Sequence, residues 1–312
     1  MKNYITVSQE SEYARIPFSD VLVTRKRNLF MGRKWNNIDI KVGLTIVSVH
    51  LLALFAPFTF TWGALCAAIV TSVSFGLFGI TLSYHRNLAH RSLKLPKWLE
   101  YTFAYIGVLS MQRDPIFWVS IHRYHHQYVD SEKDPHSPTF GFWFSHMGWI
   151  FDNGYIFEKY QERKNVEDLK NQVFYRFIKK TYPLHTIAFA AIVYSVGGFS
   201  YLVWVVGVTN TCVLHLTFLV NSACHIWGTQ VWKTGDLSKN NWWVAIFTFG
   251  EGWHNNHHAF ENSARHGLEW WQIDVGWYVI KFLEVVGLAT NVKLPTEDHK
   301  LKKSFVSDNK LK

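Results

Sequence analysis

Charge is what this sequence lacks over its longest stretches. Only 18% of the 312 residues are Asp, Glu, Lys or Arg, against roughly 25% in a soluble globular chain. Residues 42–84 and 181–232, runs of 43 and 52, carry none at all. A soluble fold is hard to reconcile with uncharged runs that long. Cysteine is also scarce. Cys66, Cys212 and Cys224 lie inside the apolar runs without CxxC spacing, which argues against a disulfide framework or a thiolate-held metal and reads as small core hydrophobes. No regular internal repeat or low-complexity tract is present. What is abundant is aromatic: 15 Trp, 14 Tyr and 24 Phe, which excludes disorder.

A helix needs about 20 apolar residues to cross a bilayer, so each uncharged run has room for two crossings and a turn. In the first, Pro57 and Gly63 mark the turn between helices over 42–56 and 64–84. In the second, Gly197 and Gly198 separate 182–196 from 201–227. The fold expected is an all-α integral membrane protein of four transmembrane helices in two hairpins. Residues 1–41, 85–180 and 233–312 then share one side and form a helical cap. All 32 Lys and Arg lie there, so the positive-inside rule makes that side, and both termini, cytosolic. The net charge of +9 suits anionic membrane lipids or an acidic protein partner; no motif points to nucleic acid. The first residues show no secretory apolar core, and Glu10, Glu12 and Asp20 are unlike a transit peptide. The endoplasmic reticulum membrane is the expected location, with a plastid membrane as the alternative.

Sixteen histidines are many for this length, and their clustering is the stronger signal. Three boxes stand out: His85 and His90 in HRNLAH, His122, His125 and His126 in HRYHH, and His254, His257 and His258 in HNNHH. Residues three and four apart share a helix face, so each HxxHH can converge on one point. The i, i+5 pair of the first box would sit within about 140° of each other on an α-helix and can also face the cluster. Asn221 and His225, one turn apart near the end of the fourth apolar helix, supply a ninth imidazole; polar groups there are costly unless employed. Nine imidazoles suit two ions with four or five ligands each. His50, His185 and His215 read as hydrogen-bonded packing or interfacial residues. His136, His146, His266 and His299 read as soluble-side singles; for His136 and His266 a helix-cap or surface role is the main reading, with a place behind the metal ligands as the alternative.

Imidazole alone does not choose among Zn, Cu, Fe and Ni. A paired site at a membrane surface beside an apolar bundle suggests a hydrocarbon substrate, and oxidising an unactivated C–H bond needs redox chemistry that zinc lacks. Two iron ions with O2 fit best. Soluble di-iron bundles use Glu and Glu-x-x-His; carboxylates are missing here from positions paired with the boxes.

The strings SYHRNLAHRS, SIHRYHHQYVDSEKDPHSP, GFWFSHMGW, LVNSACHIWG and EGWHNNHHAFENSARHGLEWWQID resemble the membrane-bound fatty acid desaturases, specifically the plant delta-9 acyl-lipid or acyl-CoA desaturase-like group, over about residues 35–295. The resemblance implies one desaturase domain. It implies a di-iron enzyme that uses O2 and two electrons to place a cis double bond in a saturated acyl chain carried by CoA or a lipid. It makes His85, His90, His122, His125, His126, His225, His254, His257 and His258 iron ligands, with Asn221 reaching one iron through water. Gln112, Trp118 and Thr217 match residues that bend the acyl tunnel in the animal enzymes, while Leu77 and Val73 would close it. Where the animal enzymes have Arg-Asp before the second box this chain has Ser120 and Ile121, so CoA recognition does not carry over. Arg113, Phe117 and Ile121 replace the Gly, Asp and Thr common in plant relatives, changes that bear on double-bond position or chain length. No HPGG haem motif occurs, so electrons are expected from a separate cytochrome b5. A hydroxylase on the same scaffold and a histidine-rich metal transporter are the competing readings; boxes lying outside the apolar runs count against transport.

Overall fold

The computed structural model describes residues 14–25, 27, 33–154, 156, 160 and 164–305, and the first thirteen residues, where the absence of a leader was expected, lie outside them. Helix α1 (Asn37–Ala53) starts earlier than the uncharged run because Asn36 caps it: its side chain accepts from Ile38 and Asp39, and Asp39 returns the bond to the Asn36 N–H. A short 3₁₀ turn, Ala56–Phe58, leads to Thr61, which caps α2 (Trp62–Val73). The turn falls where Pro57 and Gly63 put it.

The second helix does not stop at Tyr84. It rewinds into a π-helical segment, Ser74–Ala89, that carries the first histidine box, so this box lies within the apolar helix and not in a charged segment beyond it. Helix α3 (Lys97–Leu109) packs across that segment through two glycines. A Cβ at Gly79 would come within 2.7 Å of the Gly107 backbone nitrogen, so neither tolerates a side chain. Asp114 caps α4 (Pro115–Tyr128), the helix of the second box, with Pro115 pre-set at its first position. Short α5 (Phe142–His146) follows.

Helix α6 (Val173–Tyr201) starts nine residues before the apolar stretch that suggested it, taking Arg176, Lys179 and Lys180 into its first turns. It breaks at Gly198, whose φ of 67° and ψ of −161° are open only to glycine. A π segment, Leu202–Val208, then runs into α7 (Thr209–Ile226). Beyond it come α8 (Trp242–Phe247), α9 (His254–Ala259) with the third box, and α10 (Val275–Val285).

Among the described residues, three stretches are long and apolar enough to cross a membrane: Asn37–Phe58, Trp62–Ala89 and Val173–Ile226. Their outward faces carry apolar side chains such as Leu44, Leu54, Leu184 and Val196, a surface that belongs against lipid. Cys66 and Cys212 share that outward exposure and are not core residues, because the outside of such a helix is itself an apolar solvent; only Cys224 is buried. The protein is therefore a mostly helical membrane protein. At the end that bears the histidines, Phe75, Tyr84 and Leu88 pack against Val119 of α4 and Tyr175 of α6. The small hairpin Ala14–Arg15/Leu22–Val23 sets Ile16 and Val21 on Ile226.

Candidate metal centre

The π winding of Ser74–Ala89 decides the first box. The His90 N–H donates to the His85 carbonyl at 3.1 Å, five residues back, which brings both rings onto one face with centroids 4.7 Å apart. The α-helical separation of about 140° does not apply. Helix α4 turns His122, His125 and His126 toward the same point, α9 supplies His254, His257 and His258, and the last turn of α7 supplies His225.

The nine rings sort into two groups. His85, His90, His122, His126 and His257 form one, His125, His225, His254 and His258 the other, with the nitrogens of each group within 4.8 Å of one another. Nε2 atoms face Nε2 atoms: His90 to His122 at 2.7 Å, His85 to His257 at 3.2 Å, His126 to His257 at 3.0 Å, and His254 to His225 and His258 at 3.1 Å each. One proton on the His257 or His254 nitrogen cannot satisfy two neighbours. The buried His125 Nε2 has no hydrogen-bond partner at all. Converging lone pairs of this kind fit a cation in each group.

Carboxylates stand behind the rings, at positions that no spacing pattern marks. His85 Nδ1 lies 2.5 Å from Glu251, His125 Nδ1 3.0 Å from Asp134, His258 Nδ1 3.0 Å from Asp236, and His225 Nδ1 3.4 Å from Asp130. A proton held on Nδ1 by a carboxylate leaves Nε2 free to ligate. The nitrogens that face each other within the two groups all come from histidines, and these acids lie one ring further out. Burial, reinforced by the neighbouring imidazoles, holds His122, His126, His254 and His257 well below the ordinary histidine value, so they are neutral, the form that binds metal. For Glu251, burial alone would raise the carboxyl; His85, Arg86 and His266 outweigh it and hold it well below the usual range. Fully buried Arg86 ties Glu251 to Asp274, at 3.0 and 2.8 Å.

His136 and His266 are not surface groups. Each is under 4% exposed; His136 lies against His125, and His266 reaches Glu251 at 3.4 Å and stacks near His257. Their loops bring them in, and no helical spacing could show it. His146 is likewise buried, at the end of a chain in which His50 Nε2 meets His215 Nε2, His215 Nδ1 meets His146 Nε2, and His146 Nδ1 meets Ser222 Oγ, all at 3.0 Å. His185 pairs with Thr181 and Tyr105, and His299 is exposed.

A family model for fatty acid desaturase matches residues 60–281. The chain belongs to that family. It is 57% identical over 96% of its length to the palmitoyl-monogalactosyldiacylglycerol delta-7 desaturase, chloroplastic, of Arabidopsis thaliana, covering 81% of that protein. It is 55% identical over 90% to delta-9 acyl-lipid desaturase 1 of the same plant, covering 92%, and 53% identical over 95% to the acyl-CoA C20 delta5-desaturase of Anemone leveillei, covering 95%. The protein is an oxidoreductase, a fatty acyl desaturase; hydroxylation and metal transport lose their ground.

Among the described residues of the desaturase, two cavities lie beside the histidines. The larger, about 680 Å³, runs between α1, α6 and α7; the smaller, about 60 Å³, is lined by His85, His122, His125 and His254. Both touch Trp118, His122, Thr217 and Asn221. At that junction Trp118 Nε1 donates to Gln112 Oε1 at 3.1 Å, and Gln112 Nε2 donates to Thr217 Oγ1 at 2.9 Å. Val73 and Leu77 line neither cavity. Val73 faces outward and Leu77 is buried among neighbours, while Ser72 and Gly76, each one position earlier, and Ile80 form part of the wall of the smaller one.

Proposed function

We propose that this desaturase holds two iron ions and, with O2 and two electrons, introduces a cis double bond at or near the delta-9 position of a saturated acyl chain. His85, His90, His122, His126 and His257 would hold one ion and His125, His225, His254 and His258 the other, with Asn221 reaching one of them through water. When bound, the irons supply the one-electron chemistry with O2 that unactivated methylenes require and zinc lacks. The balance is two hydrogens from adjacent methylenes, two electrons and two protons, with O2 leaving as two waters.

The protein's own part is positioning. Glu251, Asp134, Asp236 and Asp130 fix ring orientation from behind. The Gln112, Trp118 and Thr217 chain makes a bend that presents one pair of methylenes to the centre, and the apolar walls keep water out. The observation that carries the reading is this junction of two metal-ready histidine groups with a largely apolar cavity.

Four crossings are the reading for the membrane. A continuous Val173–Ile226 helix would be roughly 80 Å long, far beyond a bilayer, so the break at Gly198 reads as the turn of a second hairpin. The histidine-bearing cap and both termini are placed on the cytosolic side, and residues about 35–295 form one desaturase domain. Cytochrome b5 is the proposed donor, its acidic face suited to the basic surface. The carrier is CoA or a glycerolipid, both represented among the relatives' names. The membrane proposed is the endoplasmic reticulum; relatives named chloroplastic support a plastid membrane as second reading, and microscopy of a fluorescent fusion separates them. The enzyme is tested in a yeast lacking its own desaturase, with gas chromatography and double-bond location. New cis-monounsaturated chains that vanish in His257→Ala are expected; hydroxylated products, or unchanged lipids with iron-loaded protein present, would reject it.

A further inference from the structure

The smaller cavity extends along the second helix away from the metal centre. At one end of that helix wall His85 lies beside Trp118, with ring centroids 6.2 Å apart. Gly76, nine residues earlier and so about two helical turns along the axis, lines the same cavity, as does Ser72 one turn further. Ser72 Oγ donates to Thr209 Oγ1 at 3.2 Å and bridges α2 to α7 at that depth. The wall opposite is apolar, with Val213, Leu216 and Val220 of α7.

Phe249, in the loop between α8 and α9, also lines this cavity and is unusual in two respects. Its φ is 59°, a left-handed conformation that a bulky residue keeps only where its surroundings impose it, and residues so strained gather at functional sites and ligand clamps. Its ring also rests against a helix position that has no side chain: a Cβ at Gly76 would come within 2.7 Å of Phe249 Cε2. The loop that carries the ring is pinned. The Phe249 carbonyl accepts the Gly276 N–H at 2.9 Å, the Gly250 N–H donates to the Ala245 carbonyl at 2.9 Å, and Gly250, with φ at 110°, lies too close to Asp274 for any Cβ. Glu251, which holds His85 Nδ1, and the ring of His254 follow within five residues. The Phe249 ring and the metal ligands therefore sit on one fixed segment, and the distance between them is set by the fold.

We propose that the Phe249 ring is the stop for the methyl end of the acyl chain and so sets how many carbons the enzyme accepts beyond the pair it oxidises. This rests on the desaturase reading above and assigns the choice of chain length to a residue outside the helix positions Val73 and Leu77. A saturated tail offers nothing to hydrogen-bond, so its length is read only by where room runs out. A ring braced against the Gly76 backbone is a hard wall, and overfilling a packed apolar site is costly.

The test feeds saturated acids of 14, 16, 18 and 20 carbons to the yeast lacking its own desaturase, expressing the full chain or a variant. Product length and double-bond position are read by gas chromatography, and iron is measured in the purified protein. Phe249→Ala, and Phe249→Leu as the milder change, should keep iron and raise the ratio of longer to native-length products at least about tenfold, with the double bond at the same carbon from the carboxyl. Gly76→Ala, which presses the ring into the cavity, should favour shorter products, and Gly76→Ala combined with Phe249→Leu should return toward the native length. A purely structural role for Phe249 would produce neither the opposite shifts nor that restoration. An unchanged length profile in Phe249→Leu with iron retained overturns the proposal, as does a double bond that moves while length preference stays. A native chain that makes no double bonds rejects the reaction, and this role with it.

Discussion

Asp134 acts on the metal centre through one ring. Its carboxylate holds His125 Nδ1 at 3.0 Å and also accepts the backbone N–H groups of Asp130 and His136, so it fixes both the ring and the loop behind it. Asp134→Asn should lower iron affinity about 10- to 100-fold, measured by competition with a chelator, while His125→Ala removes the ion from that group. Arg86 is the other decisive side chain. Replacing it by Met strands Glu251 and Asp274 as buried, uncompensated charges, a cost of about 3–5 kcal/mol that calorimetry of the detergent-solubilised protein would register. The histidines could be read in advance because three- and four-residue spacing is local. The acids behind them could not, since Asp130, Asp134, Asp236 and Glu251 occupy loops with no periodicity to expose them.

Elements decide how these residues meet. The π rewinding of Ser74–Ala89 converts an i, i+5 spacing into a shared face, and Gly79 against Gly107 lets α3 lock that segment in place. Uncharged length predicted a helix there; it held no information on its winding, which depends on packing against α3 and α4. The His50, His215, His146 and Ser222 chain binds α1, α7 and α5 together inside the bundle. His215→Ala removes the middle of it and leaves His50 and His146 short of a partner. A loss of about 1–3 kcal/mol is expected, seen as a lower Tm with iron content unchanged; loss of iron at wild-type Tm would contradict a purely structural role.

At the scale of the whole molecule, Arg123 of α4 ties the end of the π segment to Asp168, just ahead of α6. It donates to the carbonyls of Leu88 and Ala89, closing the π segment, and to both oxygens of Asp168. Burial would raise the Asp168 carboxyl, but hydrogen bonds from Arg123 and Arg91 outweigh it and lower it from 3.8. With the folded value below the unfolded one, Asp168 contributes stability that is full above about pH 4 and is lost as pH falls through its folded value. Thermal unfolding of Asp168→Asn across pH 3 to 6 should show a lower Tm at pH 6 and a smaller decline toward pH 3 than the native chain. An identical decline would remove Asp168 from the acid limb.

The sequence by itself determined the solvent and the donor chemistry: two uncharged runs require lipid, and three histidine boxes with His225 offer a donor set that could hold metal, because hydropathy and helical spacing are properties of neighbouring residues. Tertiary structure alone decided which rings group together, which acids stand behind them, and which residues line the cavities beside them. Those facts join residues up to 188 positions apart, as Arg86 to Asp274, and contacts across that distance exist only once the helices have packed.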